Sequence, residues 1–215
     1  GLKAAVIMTG DDHGHAATVG RFNQYMTLGP NTPQDVADWR AIRGTSYITN
    51  GTPISDADVS TFQSNGFEIA LHPNTGCANF TPSSLNNVFT TQLASLASQL
   101  PSLTAPVTNR THCMPWSTWS SHASVENAHG IRFDVNYYYW PGSWIQNRPG
   151  MFTGSGMPMR FSNMTGSIID CYQGPTVITD ESGQTISTHI NSLLDKALGA
   201  EGYYGAFVMN MHTDT

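Results

Sequence analysis

Residues 3–12 read KAAVIMTGDD. Positions 3–9 are an apolar run rich in strand formers and Gly10 ends it, which predicts a buried strand. Asp11 and Asp12 follow at once. An Asp pair after a strand commonly caps a turn or a helix, and it is equally a place to hold catalytic charge. The rest of the chain bears on that choice, because the same arrangement recurs. A strand at 67–71 runs into His72, a strand at 106–111 carries Arg110 and continues into His112, a strand at 131–135 contains Asp134, and a last strand at 205–211 runs into His212. In a set of parallel strands the C-terminal ends meet on one face, where such folds place their chemistry.

Between these strands the spacing predicts helices. Residues 33–40 form a short one with Asp35 in its first turn. Residues 55–65 start at Ser55, with Asp58 three positions on, and bury Val59 and Phe62. Residues 83–100 align Leu85, Val88, Phe89, Leu93, Leu96 and Leu100 on one stripe, closed by Pro101. Further helices are read at 122–129 and 186–198, with strands at 45–49, 157–161 and 167–172. Residues 10–32 read as a polar connection. Alternating strands and helices over a single domain, 1–215, imply an α/β barrel or a doubly wound parallel sheet.

Composition narrows the function classes. Charged residues make up only 11% of the 215 positions, hydrophobic ones 39%, and the net charge is −6 with nine Lys plus Arg. No basic run suits phosphate binding, so nucleic acid is not an expected partner. No apolar stretch of about 18 residues is long enough to cross a membrane. Scarce lysine and abundant Ser, Thr and Asn suggest a secreted, extracellular protein. Asn-x-Ser/Thr sequons at Asn50, Asn79, Asn109 and Asn163 are about as many as this composition gives by chance, and carry no argument.

The ordered strand ends resemble the motifs of the NodB-homology polysaccharide deacetylases, carbohydrate esterase family 4. MTGDD at 8–12 resembles the family's Thr-Phe-Asp-Asp, which implies Asp11 as general base and Asp12 as metal ligand. GFEIALH at 66–72 resembles the motif that delivers a metal-binding His, here His72. RTHC at 110–113 stands where the family has Arg-x-Pro-Tyr. Asp134-Val135-Asn136 with Trp140 resembles a groove-lining motif. VMNMH at 208–212 resembles the motif that ends in the general acid, here His212. The resemblance implies a distorted (β/α) barrel, a divalent metal ion (zinc first; cobalt, nickel or manganese as alternatives) and a polysaccharide or glycan substrate that loses an acyl group, above all acetyl. In that scheme Arg110 orients Asp11 and Asp134 holds the ring of His212; Trp116 and Trp140 belong to an aromatic cluster at 116–144 whose rings either stack on sugar or pack core and rim.

The sequence departs from the family at named positions. The second metal His normally lies four residues after the first, and that position is Gly76. His112 is the first choice for the missing ligand, His13 the second and Asn74 the third. If His72 and His112 reach one metal, their loops converge, so Cys77 and Cys113 can pair and leave Cys171 free; thiolate ligation and three free thiols are the other readings. Two other functions stay open: a metal-dependent amidase on a non-sugar C–N bond, and a carbohydrate-binding module that has lost catalysis. The chain ends three residues after His212, where the family adds a helix, so a longer parent chain with further domains is expected.

Overall fold

Two independent signals set the longest helix. Pro82 occupies its first turn, and Thr81 and Ser84 cap it reciprocally, the Thr81 hydroxyl accepting from Ser84 N–H at 3.1 Å and the Ser84 hydroxyl from Thr81 N–H at 2.9 Å. Its apolar stripe then buries Leu85, Phe89 and Leu96. Such local agreement recurs through the computed structural model, which describes residues 4–137, 156–182, 186–200, 202 and 205–214. In chain order the elements are β1 (Ala4–Asp12), α1 (Ala17–Thr27), α2 (Pro33–Ala37), β2 (Gly44–Ile48), α3 (Asp56–Ser64), β3 (Glu68–Leu71), α4 (Pro82–Gln99), β4 (Thr108–Asn109), α5 (Ser121–Ala128), β5 (Phe133–Asp134), β6 (Met159–Ser162), β7 (Ile168–Gln173), β8 (Thr176–Thr179), α6 (Ile186–Leu198) and β9 (Gly205–Asn210).

The fold is mixed α/β with a parallel sheet. One sheet runs β3-β2-β1-β9-β8, every pair parallel; a second runs β4-β5-β7-β6, with only β6 antiparallel. Among the described residues the backbone ladder forms these two sheets and not one closed ring. Side chains join them. At the β3–β4 seam Glu68 accepts from Val107 N–H at 2.9 Å, Thr108 N–H at 3.1 Å and the Thr108 hydroxyl at 2.6 Å. At the other seam Thr176 donates its N–H to Tyr137 O at 2.7 Å and its hydroxyl to Val135 O at 2.9 Å. Tyr47, Ala70, Val135 and Val208, drawn from both sheets, pack together in the interior. Outside, α1, α3 and α4 cover one flank through Phe22, Phe62 and Leu96, and α6 covers β8 and β9 through Leu193 and Ala197.

Several expectations need correction. The strands read at 106–111 and 131–135 shrink to two residues each in β4 and β5, because side-chain bridges replace ladder bonds at the seam. Helix α1 falls in a stretch read as a connection. Its N-cap Ala16 has φ 64° and offers no capping side chain, so no local start signal precedes it; the cap comes from Asp12. Strand β8 is buried at all four positions and lacks the alternation that marks a half-exposed strand.

Glu68 is therefore expected to hold the seam. Glu68 also accepts from the Thr45 hydroxyl at 2.9 Å, so Glu68→Ala leaves two N–H groups and the hydroxyls of Thr45 and Thr108 without their acceptor and should lower the unfolding free energy by roughly 2–3 kcal/mol in urea titrations. Glu68→Gln, which keeps one carbonyl acceptor, should cost clearly less; equal stability of Glu68→Ala and wild type would remove the seam argument.

Candidate active site

At the C-terminal end of β1, Gly10 is required by crowding: a Cβ there would lie 2.5 Å from the Met211 carbonyl oxygen. This close approach carries residues 211–214 alongside the end of β1. Met211 N–H donates to Thr9 O at 3.1 Å and Thr213 N–H to Asp11 O at 2.8 Å. Asp11 and Asp12 then diverge, as neighbours in a strand must. Asp11 turns inward, where Arg110 Nε lies 3.2 Å from Oδ1 and Asn210 Nδ2 donates to Oδ2 at 2.9 Å. Arg110 is fully buried; its Nη2 also donates to the hydroxyls of Thr9 and Thr176, both at 3.0 Å.

Asp12 faces the other way. Its Oδ1 accepts from Gly14 N–H at 3.1 Å and His15 N–H at 2.8 Å; its Oδ2 accepts from Thr18 N–H at 3.2 Å and the Thr18 hydroxyl at 2.7 Å. The expected metal ligand is thus a remote cap for α1, with four donors already on its two oxygens. It does not join the cluster of imidazoles beside it.

That cluster is His13, His72 and His112. One nitrogen from each lies within 4.8 Å of the others, and the ring centroids are 5.0–5.4 Å apart. His72 is 2% exposed, and its Nδ1 sits 2.8 Å from the Arg110 carbonyl oxygen. A carbonyl can only accept, so Nδ1 carries the proton and Nε2 presents a lone pair. That Nε2 is buried and, among the described residues, has no hydrogen-bond partner. Burial pushes the His72 ring down to about 4, so it is neutral at physiological pH. His112 is also lowered, first by burial and then by the neighbouring His13. His13 is oriented by Asp214, whose Oδ1 accepts the His13 backbone N–H at 2.9 Å and whose Oδ2 lies 2.6 Å from Nδ1. Carboxylate–imidazole pairs of this kind fix the tautomer of metal-binding histidines. Gly76 offers no ligand, and Asn74 Oδ1 is engaged by Gly76 N–H at 2.7 Å, so of the three replacements weighed from sequence, two come together and Asn74 does not.

His212 closes the cleft. Its Nδ1 lies 2.9 Å from Asp180 Oδ1 and its N–H donates to Asp180 Oδ2 at 2.8 Å. Nε2 points back to Asp11 Oδ2 at 3.9 Å and Glu181 Oε1 at 3.8 Å. The Asp180 hydrogen bond, outweighing burial, raises the His212 ring to about 9. Burial pulls the Asp180 carboxyl up, but the bonds and charge of His212 outweigh it and hold it below the usual carboxylate range. Asp134, the expected partner, is elsewhere: fully buried, it accepts Asn136 N–H at 2.7 Å and stands beside Glu126 and His122. Burial and the Glu126 charge push its carboxyl well up. Asp180 was missed because it follows β8, the strand that periodicity did not show. Asn210 had a signal, its place two residues before His212 on a strand.

The cleft holds about 130 Å3 and is lined by Asp11, His13, His72, His112, Asn210 and His212 among others. Trp116 is not in its wall; it stacks on His122 at 5.3 Å and meets Phe161 at 5.5 Å, serving the packing of the second sheet. Trp140 lies outside the described residues. Cys77 and Cys113 form a disulfide at the rim, and Cys171 is a free, buried thiol.

Two outcomes follow from this geometry. Asp12→Ala should lower stability by roughly 2–4 kcal/mol, a cap plus stranded buried donors, and leave unchanged any zinc that the folded protein takes up in equilibrium dialysis; His13→Ala should do the reverse. Loss of zinc at full stability in Asp12→Ala would return the ligand role to Asp12. In metal-free protein, the His212 ring should titrate near pH 9 by NMR. Because that value lies above the unfolded one of 6.5, the stabilisation is full below pH 6.5 and lost as pH rises through 9. Asp180→Asn should bring the midpoint down towards 6.5 and flatten this part of the stability profile; an unmoved midpoint would sever the pair.

No family model matches the chain, and no curated protein matches it. Among solved structures the chain is similar to peptidoglycan deacetylase PdaC from Bacillus subtilis, with 11% identity, a TM-score of 0.42, and 95% of this chain and 87% of that chain covered.

Proposed function

We propose that the chain is a metal-dependent hydrolase that removes a small acyl group, acetyl above all, from a polysaccharide or glycan, and that it works on a distorted (β/α) barrel of the polysaccharide-deacetylase type. The observation that carries the reading is the pairing, within one cleft, of a buried lone pair on His72 Nε2 with an acid–base couple. Asp11 and His212 face each other at 3.9 Å across the cleft, beside three convergent imidazoles.

The residues fit a divalent ion. Three convergent imidazole nitrogens are a donor set that a catalytic zinc site uses, and an orphaned, buried imidazole nitrogen is otherwise costly. His13, His72 and His112 would hold the ion, which would act as a Lewis acid on the acyl oxygen. Asp11 takes the proton from the attacking water. Arg110 and Asn210 fix its carboxylate from two sides, so the accepting oxygen is aimed before substrate arrives. His212, kept protonated by Asp180, donates its Nε2 proton to the departing nitrogen or oxygen. The cleft is small, about 130 Å3, which accords with a short acyl group. A binding module has no use for a base and a charged imidazole set against each other, which favours catalysis over that alternative. A secreted site of action accords with the disulfide.

A chelator should abolish acetate release from acetylated oligosaccharides, and added zinc should restore it. Asp11→Asn and His212→Ala should each lower turnover by roughly two decades or more while zinc stays bound. Near-normal turnover in Asp11→Asn would refute the mechanism. No acetate release by the zinc-loaded chain from any acetylated glycan, with release from a non-sugar amide, would favour the amidase.

A further inference from the structure

The rim of the cleft holds a second set of ligand-type atoms. The sulfurs of Cys77 and Cys113 and a ring nitrogen of His112 all lie within 4.8 Å of one another. His112 Nδ1 is 3.5 Å from Cys113 Sγ and 3.9 Å from Cys77 Sγ. Both cysteines are exposed, so a soluble reductant can reach the bond. We propose that reducing the Cys77–Cys113 disulfide creates a separate site for a soft divalent cation, zinc or its probe cobalt, made of two thiolates and the imidazole of His112.

The chemistry balances. A dithiol reductant gives two electrons and two protons to the disulfide and becomes a disulfide itself; the sulfur–sulfur bond breaks and two thiols form. The incoming cation displaces the two thiol protons to solvent and gains two metal–sulfur bonds. Zinc–sulfur bonds of about 2.3 Å place two thiolates roughly 3.8 Å apart in a tetrahedral site. The Cα atoms stand 5.3 Å apart, so side-chain rotation alone supplies that separation.

The site needs the two loops to stay together once the covalent link is gone, and other bonds hold them. His112 N–H donates to Pro73 O at 2.8 Å. Gln92 on α4 grips Asn74 from both sides, accepting its N–H at 2.9 Å and donating to its carbonyl at 2.8 Å. Phe80 N–H donates to the Ser117 hydroxyl at 2.8 Å. Thiolates are the softer donors and suit zinc well, so in the reduced protein His112 is drawn toward the sulfurs and away from His13 and His72. The thiol–disulfide state then decides which ligand set owns His112.

The test uses cobalt(II) on the full chain, once as the disulfide and once after dithiol reduction and anaerobic removal of the reductant. The reduced protein should show the intense near-ultraviolet sulfur-to-cobalt absorption at one cobalt per chain; the oxidised protein should lack it. Cys77→Ser and Cys113→Ser should each abolish the band. His112→Ala should keep a band but weaken cobalt binding by no less than about tenfold, the size already found for residues that only support a ligand. A reduced chain without the band overturns the proposal. So does a band of unchanged intensity in both single Cys→Ser variants and in the double variant, which would assign it to Cys171. So does loss of near-ultraviolet circular dichroism on reduction, since the site needs the loops held. Cobalt binding by the oxidised chain, without the sulfur band, reads the three-histidine centre separately. Its absence would sink that centre and leave the thiolate site standing.

Discussion

A guanidinium with no exposed surface stands at the junction of the two sheets. Arg110 follows β4, yet its hydrogen bonds reach Thr9 on β1 and Thr176 on β8 and its ion pair reaches Asp11 on β1. An unpaired buried charge costs several kcal/mol, so the pairing with Asp11 and the two hydroxyls is a condition of the fold. Tyr47 supplies a ring face 5.8 Å from the same group. The constraint runs on into the cleft, because the Arg110 backbone carbonyl sets the tautomer of His72. One residue therefore ties the sheets, aims Asp11 and leaves the His72 lone pair pointing at the other imidazoles.

Asp11 and Asp12 have the same chemistry and opposite employment. Strand geometry sends adjacent side chains to opposite sides, so one carboxylate meets Arg110 and the other meets the start of α1. The helix needs that carboxylate because Ala16 brings none. Asp12 is committed to four donors, and the imidazole cluster takes His13 one residue later, whose ring Asp214 holds in place. The proposed ligand set would thus differ from that of the family the sequence resembles, while the proposed base stays on a carboxylate at the end of β1.

The histidines are set apart by surroundings and not by type. His72, desolvated and beside other imidazoles, is neutral down to about pH 4; His212, bonded to Asp180, holds its proton up to about pH 9. Groups driven apart in this way suit the two roles proposed for them, ligand for His72 and acid for His212. His122 belongs to neither role: it is buried against Glu126 at 3.3 Å and the amide of Asn136 at 3.1 Å, in a polar layer that backs Thr111 and the strand carrying Arg110.

The sequence by itself determined which residues reach the strand ends. Apolar periodicity is local, so residues 3–9, 67–71 and 205–211 announced their strands; Asp11, His72 and His212 line one cleft, and Arg110 is buried behind it against Asp11. It also showed Gly76 as the missing ligand and made the Cys77–Cys113 pairing a reading worth testing. Tertiary structure decided the partners. His13 meets Asp214 across a separation of 201 residues and His212 meets Asp180 across 32, and no periodicity encodes such distances. Nor could it show that Asp134 would sink into a buried layer with Glu126, that Trp116 would pack on His122, or that two side-chain seams would join the sheets where ladder bonds stop. Those choices follow from which buried charges and donors find each other once the strands are stacked, because an unmet polar group in the interior costs more than any local preference supplies.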